Sequence, residues 1–116
     1  MKKLLIIAAI ALSGCSVILP KPHDPVLFDH LVTVKIAVDK LTCESKDLNA
    51  WQSASDKIHH LAVYADIRKD PQAQSLNQLQ EAIGKARDSK NNLFCENILK
   101  INRTRIDVAA DAWRGR

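Results

Sequence analysis

Glycine, aromatic residues and glutamate are all scarce in this chain of 116 residues. Only three glycines occur, two of them at Gly14 and Gly115, so there is no glycine-rich loop to cradle a phosphate. Aromatic residues make up 4% of the chain, which obliges any core to be built from aliphatic side chains. With three glutamates, acid–base chemistry has little to work with. No Ser/His/Asp set, no CxxC pair and no apolar–polar alternation of strand type stands out. An enzyme is therefore not expected. The longest apolar run, Leu4 to Ser13, is ten residues, about half of the ~20 that a membrane-spanning helix needs.

That short run has a different use. Lys2 and Lys3 precede it, and Leu12-Ser13-Gly14-Cys15 closes it. The arrangement resembles the signal peptide and lipobox of bacterial lipoproteins. The resemblance implies removal of residues 1–14, lipidation of Cys15, a tether over 15–24 and a folded domain over 25–116. It also implies a destination. Ser16, rather than Asp, follows the cysteine, which in Gram-negative sorting implies the periplasmic face of the outer membrane. The membrane is then a partner through the N-terminal lipid. Pro20 and Pro22 bias the tether toward an extended form of about 3.1 Å per residue, keeping the domain close to its anchor.

Loss of Lys2 and Lys3 leaves 15 basic against 13 acidic side chains, a formal +2 that gives no basis for nucleic-acid binding. The remaining 102 residues suffice for one domain with a modest core. Asp24-Pro25 is a helix start, an Asp cap followed by Pro at the first helical position. Leu27, Leu31, Val34, Val38 and Leu41 recur at alternating spacings of four and three, and Val32, Ile36 and Ala37 widen that stripe. A second helical period runs through Leu48, Trp51, Ala54, Ile58, Leu61, Ala62 and Ala65, with Ser45 or Asp47 as its cap. Trp51 reads as a packing residue. Asp70-Pro71 repeats the start signal before Ala73, Leu76, Leu79, Ile83 and Ala86, with Gly84 a weak point in that helix. A fourth set comprises Leu93, Phe94, Ile98, Ile101, Ile106, Ala109 and Trp113, ending before Gly115. The expected fold is all-α: a small antiparallel bundle of three to four helices, the last two either separate or fused.

With Cys15 lipidated, as the resemblance implies, Cys43 and Cys95 remain in an oxidising compartment, and one structural disulfide between them is expected. Free buried thiols or an intermolecular bond are the alternatives. In an up-down-up-down bundle these two cysteines share one pole, and the start of the first helix shares the other with the end of the last.

His59 and His60 invite a metal reading. Adjacent helical residues point about 100° apart, so the pair does not suit one ion, and neither a metal site nor any other cofactor is expected. The segment from Lys100 carries Arg103, Arg105, Arg114 and Arg116 against Asp107 and Asp111, a local +3. These arginines, with Trp113 as amphipathic anchor, are the expected contact for anionic head groups or an acidic partner. The leading expectation is a non-enzymatic interaction or structural lipoprotein with a protein partner in the periplasm. Anchor, size and helicity resemble phage-encoded outer-membrane spanin subunits and exclusion lipoproteins. The chain departs from the Pro-rich spanin type, having four Pro. The other expectations are a small-ligand or metal-binding module using His23, His30, His59 and His60, and an inhibitor of a periplasmic enzyme.

Overall fold

Three of the four helices among the described residues begin where a short polar side chain satisfies otherwise unpaired amides. Asp24 Oδ1 accepts from Val26 N at 3.0 Å and Leu27 N at 3.2 Å, starting α1 (Pro25–Asp39) with proline in the first turn. Asp47 does the same for α2 (Leu48–Ile67), accepting from Asn49 N and Ala50 N. Asn91 Oδ1 accepts from Phe94 N at 3.2 Å at the start of α4 (Asn92–Arg114). Between them, α3 spans Ala73–Asp88. The computed structural model describes residues 23–114. The expected signal segment 1–14, the expected lipidation site Cys15, the expected tether as far as residue 22, and Arg116 lie outside the described residues.

The four helices close a ring. Each packs on its neighbour in sequence, and α4 returns to pack on α1. The architecture is an antiparallel four-helix bundle, with no strand among the described residues. Residues 89–91 separate α3 from α4, so the last two helices are distinct. Within the ring, the expected stripes of Leu27/Leu31/Val34/Val38, Ala54/Ile58/Leu61/Ala65 and Leu76/Leu79/Ile83/Ala86 form one buried core. Cys43 and Cys95 are bonded across the pole where α1 runs into α2 and α3 into α4, with a Cα–Cα separation of 6.0 Å.

Each tryptophan closes one pole. Trp51, in the first turn of α2, is buried beside the disulfide pole, its Nε1 donating to Thr42 O at 3.4 Å. Trp113, in the last turn of α4, is buried at the opposite pole and donates from Nε1 to Asp70 Oδ1 at 3.2 Å. Two large rings thus cap a core otherwise made of small and aliphatic residues.

Two cations seal helix C-termini at the disulfide pole. Lys46 Nζ donates to Ala86 O, Arg87 O and Ser89 O at 2.8, 2.9 and 2.6 Å, using all three protons on the end of α3. Arg103 Nη2 donates to Val38 O and Leu41 O at 3.4 and 3.1 Å, at the end of α1. Both place positive charge where the helix dipole favours it. At the other pole α2 ends in a Schellman turn, Asp70 N donating to Ala65 O and Lys69 N to Asp66 O. Lys69 occupies the left-handed position of that turn with φ 56°.

Several sequence expectations are corrected here. Val32, Ile36 and Leu48 are exposed rather than part of the inner stripes. At 100° per residue Ile36 lies opposite the Leu31/Val34/Val38 face, and the ring leaves no fifth helix to cover it. Pro71 does not open α3. Gln72 N donates to Asp70 Oδ1 and Ala73 N to Asp70 O, so a turn occupies Pro71 and Gln72 before the helix proper.

Candidate interaction surface

The basic C-terminal segment separates into residues with different duties. Trp113 is 2% exposed and belongs to the core, which overturns its reading as a surface anchor. The reason is the pairing of its indole with Asp70, which lets a polar edge enter a buried site without an unsatisfied donor. Arg103 turns inward to cap α1, and its Nε lies 3.8 Å from Asp39 Oδ1. Arg105 donates to Asn102 Oδ1 at 3.1 Å, holding that buried amide, whose Nδ2 donates to Ile98 O. Arg114 pairs with Asp111 one turn earlier and is exposed. Of the expected contact arginines in the described part, only Arg114 presents its charge mainly to solvent. The expected placement of the poles does hold: His23 Nδ1 lies 3.5 Å from Trp113 O, so the start of α1 and the end of α4 adjoin.

A different feature of α4 faces outward. Phe94, Ile101 and Val108 are 49%, 61% and 59% exposed and recur every seven residues. Their common face lies roughly 120–160° around the helix from the buried Cys95/Leu99/Ile106/Trp113 stripe. From Phe94 to Val108 the row runs about 21 Å at 1.5 Å per residue. Exposed Ala112 extends it by a turn, and Ile98 joins it to the groove between α3 and α4. Lys85 and Gly84 of α3 line that groove beside Phe94. Scattered exposed apolar residues are ordinary, whereas an aligned row on one helix is the pattern of a contact surface. The sequence reading missed it by assigning Phe94 and Ile101 to the inner stripe. Their seven-residue repeat, out of phase with Cys95, Leu99 and Ile106, was the signal that separates the two faces.

The pole at the start of α1 is a polar network. Asp24 Oδ2 accepts from Tyr64 Oη at 3.0 Å and pairs with Arg68 Nε at 3.3 Å, while Oδ1 caps the helix. Burial pushes the Asp24 carboxyl up, but the Leu27 amide, the Tyr64 hydroxyl, the Val26 amide and Arg68 together hold it below its ordinary value of 3.8. The same hydrogen bond raises Tyr64, because its proton is the one shared with Asp24. These groups tie α1 to α2 at the end farthest from their connecting loop.

The histidines also separate. His59 lies 3.3 Å from Gln80 Oε1 on α3, whereas His60 meets His30 of α1, with ring centroids 4.6 Å apart. Among the described residues no helix is long and apolar enough to cross a membrane. Comparison with protein-family models, with curated proteins and with solved structures found no match to this chain.

Proposed function

We propose that this chain is a non-enzymatic lipoprotein, held at the periplasmic face of the outer membrane through acylated Cys15, whose helical domain is an interaction module. The lipobox-like Leu12-Ser13-Gly14-Cys15 supports the anchoring. The observation that carries the interaction is the outward row of Phe94, Ile101 and Val108 on a helix whose other face is already fully used by the bundle. Such a row suits an amphipathic helix of a protein partner, which would cover it with its own apolar face. The row runs along the length of the bundle, from the disulfide pole toward the pole of the tether. A partner lying along α4 would then stand upright on the membrane beside its anchor.

The test places a photo-crosslinking residue at position 101 in cells that produce the protein. The expected result is a protein adduct in the outer-membrane fraction, lost with Phe94→Asp while melting is unchanged. An adduct from a control position at Ile36, with none from 101, would refute α4 as the contact. Anchoring is tested separately: Cys15→Ser should leave the protein unprocessed or release it from membranes, and intact mass should otherwise equal residues 15–116 plus three acyl chains. An unmodified Cys15 would remove the membrane from this reading.

A further inference from the structure

Two of the four histidines are already engaged, His23 with the Trp113 carbonyl and His59 with the Gln80 side chain. The other two behave differently. Neither His30 nor His60 makes a hydrogen bond to any described residue, and they face one another across the α1–α2 seam. Their ring centroids are 4.6 Å apart, with the planes inclined at 63°.

That separation has a chemical meaning. An ion bound by an imidazole nitrogen at about 2.0–2.1 Å lies roughly 3.2 Å from the ring centre. Two such ligands subtending about 90–110° at one ion therefore have ring centres about 4.5–5.2 Å apart. The spacing of His30 and His60 falls inside that interval, so rotating the exposed His60 ring out of its present edge-on contact, with no movement of the helices, would bring one nitrogen of each ring to a common ion.

The surroundings hold the half-buried member in place. Tyr64 packs on His30 with ring centroids 5.8 Å apart, and its hydroxyl is fixed by Asp24, which is fixed in turn by Arg68. His60 is exposed, so solvent has access to the open side of the pair. Asp56, which accepts from Gln52, and Lys57 border the same shallow groove as His60, so its charges offset one another and the two imidazoles are the ligands. Among the described residues no cluster of three or more ligand side chains is present. The site is bidentate, and water must complete it.

We propose that His30 and His60 form a two-histidine site for one divalent first-row transition-metal ion. Imidazole ligation and the order of divalent affinities favour copper(II) over zinc(II). The ion would bridge the second turn of α1 to the later half of α2, near the pole opposite the disulfide. The disulfide ties the bundle at one end, and the ion would tie two helices toward the other. This site is independent of the outward row on α4 and does not rest on the proposed anchoring.

The experiment titrates copper(II) chloride, and separately zinc chloride, into the purified protein, with electron paramagnetic resonance for copper and thermal melting for both. One copper(II) per chain, two imidazole nitrogens in its spectrum and a rise in melting temperature at saturation are expected. His30→Gln and His60→Gln should each weaken binding by at least about tenfold, whereas His23→Gln and His59→Gln should leave it unchanged. Metal-free melting curves establish that each variant is folded. The count of coordinating nitrogens in the unmutated protein tests the site without any variant. Binding that survives His30→Gln or His60→Gln, or a spectrum with one nitrogen or none, would overturn the proposal. So would a melting temperature that saturating metal leaves unmoved.

Discussion

Replacing Lys46 by methionine removes the most concentrated polar contact in the bundle while keeping much of the side-chain stem. In the folded protein the ammonium gives its three protons to Ala86 O, Arg87 O and Ser89 O, and it lies 5.6 Å from the centroid of the Trp51 ring. A hydrogen bond with one charged partner contributes about 1.5–3 kcal/mol, but three from one half-buried ammonium do not add, because water solvates part of it in either state. A loss of about 2–3 kcal/mol is the reasonable sum, including the orphaned carbonyls at the end of α3. For a domain of this size 1 kcal/mol moves the melting midpoint by roughly 4–8 °C, so the fall should be about 10–20 °C. Far-UV circular dichroism melts with the disulfide intact measure it. Lys40→Met, at an exposed lysine just past α1, is the control and should stay within about 0.5 kcal/mol. Lys46→Arg should fall between the two, since a planar guanidinium cannot aim three donors at three converging carbonyls. If Lys46→Met melts with the parent, the capping role assigned to this residue is wrong.

Other outcomes follow from single features. Cys43→Ser with Cys95→Ser reopens a span of 52 residues and should cost about 4 kcal/mol by chain entropy; urea unfolding of that variant, and of the parent with and without reductant, checks it. Gly84→Ala should stabilise by about 1 kcal/mol, because nothing lies within 4 Å of the added Cβ; a loss in the same assay would refute the open space at position 84. Asp24 has a folded pKa below its ordinary 3.8, so its contribution is present above that value and disappears as pH falls through the lower folded one. Asp24→Asn keeps a capping side chain and should flatten the stability profile on that acid side, whereas an unaltered acid limb would assign the dependence to other carboxylates. Trp113→Ala should lower stability by about 3–5 kcal/mol with loss of helical signal on mild heating, the behaviour of a core residue rather than a surface anchor.

Much of the fold was legible in the order of residues because helices are local. Asp24-Pro25 and Asp47 cap from two or three residues away, and the Leu27/Leu31/Val34/Val38 and Leu76/Leu79/Ile83/Ala86 stripes follow from a fixed 100° rotation per residue. The pairing of Cys43 with Cys95 was expected because the lipobox resemblance leaves only those two thiols, and the bundle accommodates it by putting the end of one helix beside the start of the last. What periodicity does not contain is which of two apolar faces meets a neighbour. In α4 both Cys95/Leu99/Ile106 and Phe94/Ile101/Val108 recur at helical spacing, and only the closed ring of four decides that the second face stays outside. The same holds for polar residues whose partners are distant in the chain. Lys46 reaches the end of α3, Arg103 the end of α1, Trp113 the Asp70 carboxylate and His60 the ring of His30. Sequence determined the inner stripes and the caps at Asp24 and Asp47, since those depend on neighbours within a turn. Tertiary structure alone decided which cations close helix ends, that Trp113 is buried and which histidines meet, because each depends on side chains brought together from separate helices and the loops between them.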